Sequence, residues 1–231
     1  HACTVDAGMT GRQTPLDRRL LDALRASVHA TSVHVLVGGC GSGRTECLQR
    51  LHRELGPQAS QYIDLERVST TPERCCRAMM DASPFVHGGV PTRGLPSGGG
   101  DIAGARPAFD AMLMFLMNAS SPDGGPATFL LDEILELRTF ESFPGLRSAL
   151  PELARALAHS RNHFIVSSRF AARARRWIDT APERFELVPL APLAHVDVRD
   201  VLESRLGQAA GGDMSPAEID ETARIIHRLG D

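Results

Sequence analysis

Two short stretches hold residues whose types and spacing suit the handling of a phosphate chain. Residues 38–45 read GGCGSGRT, with an apolar run, SVHVLV, before them and a helix-like segment, TECLQRLHREL, after. A loop of small residues lets successive backbone N–H groups point inward, and the positive end of the following helix adds to the pull on an anion. Gly38, Gly39, Gly41 and Gly43 supply that freedom. The spacing is that of G-x-x-x-x-G-K-[ST], with Arg44 in the lysine position. The second stretch, TFLLDE at 128–133, ends an apolar run in two carboxylates. Burying an unpaired carboxylate is expensive, so for this second motif alone a solvated strand end is the plain reading. Both lie at the carboxyl ends of strand-like runs, where parallel sheets converge on one crevice. Together they specify a nucleoside triphosphate with Mg²⁺. Thr45 would give its hydroxyl to the ion and Asp132 would hold it directly or through water. Glu133 would polarise the attacking water for in-line displacement at the γ-phosphorus.

Arg44 does not by itself mark a dead site. All 25 basic residues counted as Lys+Arg are arginine, so the replacement of lysine extends over the whole chain. Arginine keeps the positive charge, but its planar fork is longer and bulkier than an ammonium, which favours survival of binding over survival of catalysis. Cys40 lies inside the loop, where a helix N-terminus lowers a thiol pKa; it reads as a tolerated small residue more than as a redox switch.

Alternating elements must position these groups. A helix is expected from Pro15, with Leu16, Leu20, Leu21 and Leu24 on one face. A strand at 32–37 leads into the loop and a helix from about 44 to 55, stopped by Gly56-Pro57. QYIDL at 61–65 is a second strand, and a helix follows with Thr71 as its cap and Pro72 in its first position. Residues 88–106 are rich in glycine and proline and read as a surface loop, followed by a helix over 107–118 whose Met and Phe residues suit a core. Beyond Asp132, Leu146, Leu150, Leu153 and Leu157 recur at helical spacing, and HFIVSSR and ERFELV are two more strands. A parallel sheet covered by helices follows from this alternation.

Composition narrows the setting. The chain has 231 residues, 42% of them hydrophobic, enough for one sizeable core with a small appendage. A net charge of −3 gives no general pull toward nucleic acid or an anionic membrane, though arginines crowd between Arg155 and Arg176. Cys3, Cys40, Cys47, Cys75 and Cys76 are odd in number and lack paired CxxC spacing, which fits reduced thiols in a cytoplasm. The nine histidines are scattered along the chain, and none is assigned to a metal. No apolar run reaches the roughly 20 residues of a membrane span. The start at His1 and the helix-like end IIHRLGD suggest a segment of a longer protein.

The loop GGCGSGRT, the strand TFLLDE, the polar-tipped FIVSSR and the exit ELVPLAPLAHVDVRDVLESRL together resemble P-loop ATPases of the AAA+ and STAND type, over roughly residues 10–231. The resemblance implies an α/β, three-layer P-loop NTPase with a parallel five-stranded sheet in the order 5-1-4-3-2. It implies an N-terminal segment at 1–14, an ATPase core at 15–190 and the start of a helical lid at 191–231. Gly38, Gly39, Cys40, Gly41, Ser42, Gly43, Arg44, Thr45 and Glu46 would bind ATP or ADP as the Walker A motif. Asp132 and Glu133 would form Walker B, Ser167 or Ser168 would sense the γ-phosphate, and Arg169 matches an arginine common after it in STAND proteins. Arg224 or Arg228 would be the lid arginine.

Three functions are compatible with these residues: an ATPase that moves a lid and resets a partner domain, a nucleotide-gated scaffold with little hydrolysis, and the motor half of a DNA-handling protein. The first is the reading carried forward. Its partners are ATP and further domains of the same chain, with a homo-oligomer and nucleic acid left open. Arg173, Arg175 and Arg176 read as a solvated helix face in preference to arginine fingers or a nucleic-acid contact.

Overall fold

The computed structural model describes residues 33–39, 41–87, 90–91, 104–179, 184–190, 198–199, 202–203 and 215–230. Among the described residues there are seven strands: β1 (Val33–Val37), β2 (Ser60–Asp64), β3 (Val86–His87), β4 (Val90–Pro91), β5 (Thr128–Asp132), β6 (His163–Ser168) and β7 (Phe185–Pro189). The helices are α1 (Arg44–Leu55), α2 (Leu65–Val68), α3 (Pro72–Asp81), α4 (Ala105–Asn118), α5 (Ala149–His159), α6 (Ala171–Ile178) and α7 (Pro216–Gly230), with a 3-10 run over Ile134–Ser142.

Five strands form one parallel sheet in the order β2-β5-β6-β1-β7. Counted along the chain among those five, this is 2-3-4-1-5, the expected order read from its other edge. The central strands are mostly apolar because both their faces are covered. Side chains alternate between faces. Leu36, Leu130 and Ile165 point toward Leu48 and Leu51 of α1, forming a small core of their own. Val35, Val37, Phe129, Leu131, Phe164 and Val166 face the larger core, which takes in α3, α4, α5 and α6. There the Phe129 ring stacks on Phe164 at 5.5 Å and meets Phe85 and Phe115 edge-on at 5.1 and 5.7 Å.

Local chemistry sets the element ends. Helix α1 lies between the cap residues Gly43 and Gly56, both with positive φ, and Gly56 N–H closes it on the His52 carbonyl. Thr71 caps α3 by accepting from the Arg74 backbone N–H at 3.2 Å, with Pro72 in the first turn as expected. Strand β2 is shifted one residue from the expected 61–65. Buried Ser60 pairs with Thr128, and Asp64, the last residue of β2, meets Arg67 of α2 at 2.9 Å.

The expected loop over 88–106 is overridden at both ends. Strands β3 and β4 make a small antiparallel pair, and α4 starts at Ala105 because Pro107 sits in a first turn, where its missing N–H leaves nothing unsatisfied. The 3-10 run is a second departure from the sequence reading: it buries Ile134, Leu135, Leu137 and Phe140 directly after β5. The expected helix after Pro15 and the start of the lid at 191–197 lie outside the described residues. Helix α7 begins in a reciprocal Ser215–Glu218 capping box. Among the described residues no helix is long and apolar enough to cross a membrane.

Candidate functional site

Strand register brings Asp132, Ser168 and the start of the glycine loop to the carboxyl end of the sheet. Val37 is level with Ser168 on one side and Pro189 on the other, and Asp132 is level with Asp64. The glycine loop leaves β1 at this edge, and the Asp132-Glu133 pair ends β5 at the same edge, with β6 between them.

Gly38 is fixed by crowding. A Cβ there would lie 2.5 Å from Ser42 Oγ and 2.8 Å from the Leu190 carbonyl oxygen, so no side chain fits. Gly41 and Gly43 carry φ near +77° and turn the loop into α1. Cys40 lies outside the described residues.

Arg44 is 8% exposed and folds back into the loop it follows. Its Nη1 donates to the carbonyls of Gly38 and Gly39, the latter at 2.5 Å, and to Ser42 Oγ at 3.0 Å. Its Nη2 donates to Glu133 Oε1 at 2.7 Å, a buried ion pair. The loop in this conformation encloses a guanidinium. Arg44 Nε is buried without an acceptor among the described residues.

Glu133 has φ 53°, the one non-glycine among the described residues with a left-handed backbone. Such a conformation costs about 1–3 kcal/mol and persists where its surroundings fix it. Three contacts do so: Glu133 N–H donates to Ser167 Oγ at 3.0 Å, Oε2 accepts from the Arg169 backbone N–H at 3.1 Å, and Oε1 accepts from Arg44.

Asp132 is 2% exposed, and both its oxygens are hydrogen-bonded. Ser167 donates its hydroxyl to Oδ1, and Tyr62 donates to Oδ2 at 2.9 Å. Burial pushes the Tyr62 hydroxyl pKa far above its ordinary value, so the group stays a donor at neutral pH. Gln49 of α1 donates to Tyr62 Oη at 3.5 Å, which leaves the phenolic proton for Asp132. Two donor chains therefore converge on Asp132, one from Gln49 through Tyr62 and one from the Glu133 N–H through Ser167.

Of the two candidate serines, Ser167 touches the carboxylates. Ser168 accepts from the Phe170 backbone N–H and shapes the turn after β6. Arg169 reaches Glu136 at 2.8 Å and Glu66 at 3.1 Å through Nη2, contacts that raise its already high pKa. Thr45 is exposed on the first turn of α1, and Glu46 pairs with Arg53 at 2.9 Å along that helix's outer face. Arg224 is engaged by Asp220 at 2.5 Å on its own helix, and the side chain of Arg228 lies outside the described residues.

Tyr62, Gln49, Glu66 and Glu136 belong to the site without having been singled out in the sequence. Tyr62 carried one signal, as the chain's single tyrosine two residues before the acidic end of a strand. Of the two residues expected to hold Mg²⁺, Asp132 is buried with both oxygens hydrogen-bonded and Thr45 is exposed; each offers oxygen, the donor type that Mg²⁺ takes. Among the described residues no group of three or more His, Cys, Asp or Glu forms a metal cluster, so such an ion would rely on ligand phosphates and water.

No protein-family model matches the sequence, and no curated protein matches it. Solved structures do. The chain is similar to Cdc6p from Pyrobaculum aerophilum at 15% identity and TM-score 0.57, with 95% of this chain and 57% of that one covered. It is similar to the Aeropyrum pernix Orc1 protein in complex with DNA at 19% identity and TM-score 0.57, covering 94% and 56%. It is also similar to Drosophila ORC bound to DNA at 15% identity and TM-score 0.59, covering 100% and 54%. The likeness is one of fold, the parallel α/β sheet of a P-loop NTPase, and the chain spans little more than half the length of these relatives.

Proposed function

We propose that the chain is the ATP-binding core of a larger protein and that it hydrolyses ATP with Mg²⁺ to drive a change of conformation there. One observation carries the reading: Ser167 on β6 ties Asp132 and the Glu133 backbone together at the sheet edge where the glycine loop leaves β1. Residues 38–46, Cys40 included, would line the phosphates. Thr45 and Asp132 would hold Mg²⁺, which supplies charge neutralisation at the β- and γ-phosphates. Glu133 would orient and deprotonate water, and Ser167 would report the state of the γ-phosphate to β6. Residues 15–190 would be the core, with 1–14 preceding it and 191–231 opening a helical lid that carries Arg224 and Arg228.

The test is nucleotide affinity with and without Mg²⁺ in wild type and Asp132→Ala. The substitution is expected to erase most of the Mg²⁺-dependent gain, about tenfold or more in affinity. Equal Mg²⁺ dependence in both would remove Asp132 from the site.

A nucleotide-gated scaffold is the second reading, favoured by the engagement of Glu133 on three sides. Two of the similar structures are named as DNA complexes, and Arg173, Arg175 and Arg176 are exposed on α6. Nucleic acid is thus a further candidate partner, to be sought by salt-dependent DNA retention.

A further inference from the structure

The two arms of Arg44 do different things. Nη1 fills the hollow of the glycine loop, and carbonyls that face it offer acceptors where a phosphate needs donors. Nη2 holds Glu133, whose carboxylate is then occupied by Arg44 on one oxygen and by the Arg169 backbone on the other. Both side chains of the pair are 8% exposed, so separating them is costly unless another anion takes the guanidinium. The buried Nε without an acceptor among the described residues shows that the guanidinium is incompletely satisfied where it lies.

We infer that Arg44 is a specificity-determining latch: it keeps Glu133 from acting until the third phosphate of a nucleoside triphosphate takes the guanidinium away. This rests on the ATP-binding reading above. The arms open separately. Any phosphate entering the loop must turn out Nη1 and the carbonyls of Gly38 and Gly39. A diphosphate requires nothing more, because Nη2 can stay on Glu133. A third phosphate extends toward Glu133 and competes for Nη2, and a guanidinium fork matches phosphate in two-point geometry. Seating the triphosphate and freeing Glu133 are then one event. Lysine could not span this distance in the same way, because its compact ammonium lacks the outer nitrogen that reaches Glu133.

The test uses the full chain with Mg²⁺, a non-hydrolysable ATP analogue and ADP, in wild type, Glu133→Asp, Glu133→Gln and Arg44→Lys. Glu133→Asp keeps the charge and withdraws it from Nη2 by one methylene. The latch predicts that it raises affinity for the triphosphate analogue about five- to tenfold and for ADP by less than about twofold. Arg44→Lys should show the same preference, since it keeps the loop cation and drops the Glu133 contact. Glu133→Gln should exceed both, by adding relief of charge repulsion.

A gain in Glu133→Gln with none in Glu133→Asp or Arg44→Lys would reduce the effect to repulsion and overturn the latch. Equal gains for the diphosphate and the triphosphate would overturn it too. Both results would leave ATP binding standing. Failure of all four forms to bind either nucleotide would overturn the ATP-binding reading itself, and the latch with it.

Discussion

Arg44 and Asp132 show why residue types alone do not define a working site. Gly38–Thr45 and Asp132-Glu133 could be read as phosphate and metal chemistry because their spacing is local. The Arg44–Glu133 pair could not, because it joins residues 89 apart through a rotamer that packing selects. Tyr62 was hidden for a related reason: its hydroxyl finds Asp132 only once β2 and β5 are known to be neighbours in the stated register. Replacing Tyr62 by Phe keeps the ring and removes the donor, leaving one oxygen of a buried carboxylate short of a partner. The expected cost is about 1–2 kcal/mol in the nucleotide-free protein, smaller when Mg²⁺ and nucleotide occupy that oxygen. Denaturant unfolding with and without Mg-nucleotide checks this, and unchanged stability in both states would mean that the hydrogen bond contributes nothing.

At the scale of elements, alternating apolar runs and helical spacings were enough to indicate the separate strands of a parallel sheet and α1, α3, α4 and α5, while the five-stranded order came from the resemblance alone. Boundaries were less readable wherever tertiary contacts decide them. The 3-10 run over Ile134–Ser142 lacks a repeat that would announce it, and its place is set by burial of Ile134, Leu137 and Phe140 against the core. Helix α3 carries a measurable consequence of burial. Its Cys75 and Cys76 thiols are pushed by burial from an ordinary 9.0 up to about 12 and about 11. Both are neutral in the folded protein, whereas the unfolded chain releases these protons above pH 9. Stability contributed by the neutral thiols is therefore complete below that pH and falls as pH rises, by about 1.4 kcal/mol per thiol for each unit. Unfolding midpoints from about pH 8 to about pH 10 should drop more steeply in wild type than in the Cys75→Ala/Cys76→Ala variant. Parallel curves would show that the thiols titrate alike in both states.

For the whole molecule, the central claim is that the carboxyl edge of the sheet is a hydrolytic nucleotide site. The fold is shared with the Cdc6p and Orc1 structures at identities of 15–19%, so the chemistry has to be measured on this chain. The most direct measurement is steady-state ATP hydrolysis with Mg²⁺, alongside ATP affinity, for wild type and Glu133→Gln. The account predicts turnover in wild type and its loss, by about a hundredfold or more, in the variant that still binds ATP. Equal turnover in the two proteins would contradict the role of Glu133, and tight ATP binding without turnover in either would make the chain a nucleotide-gated scaffold.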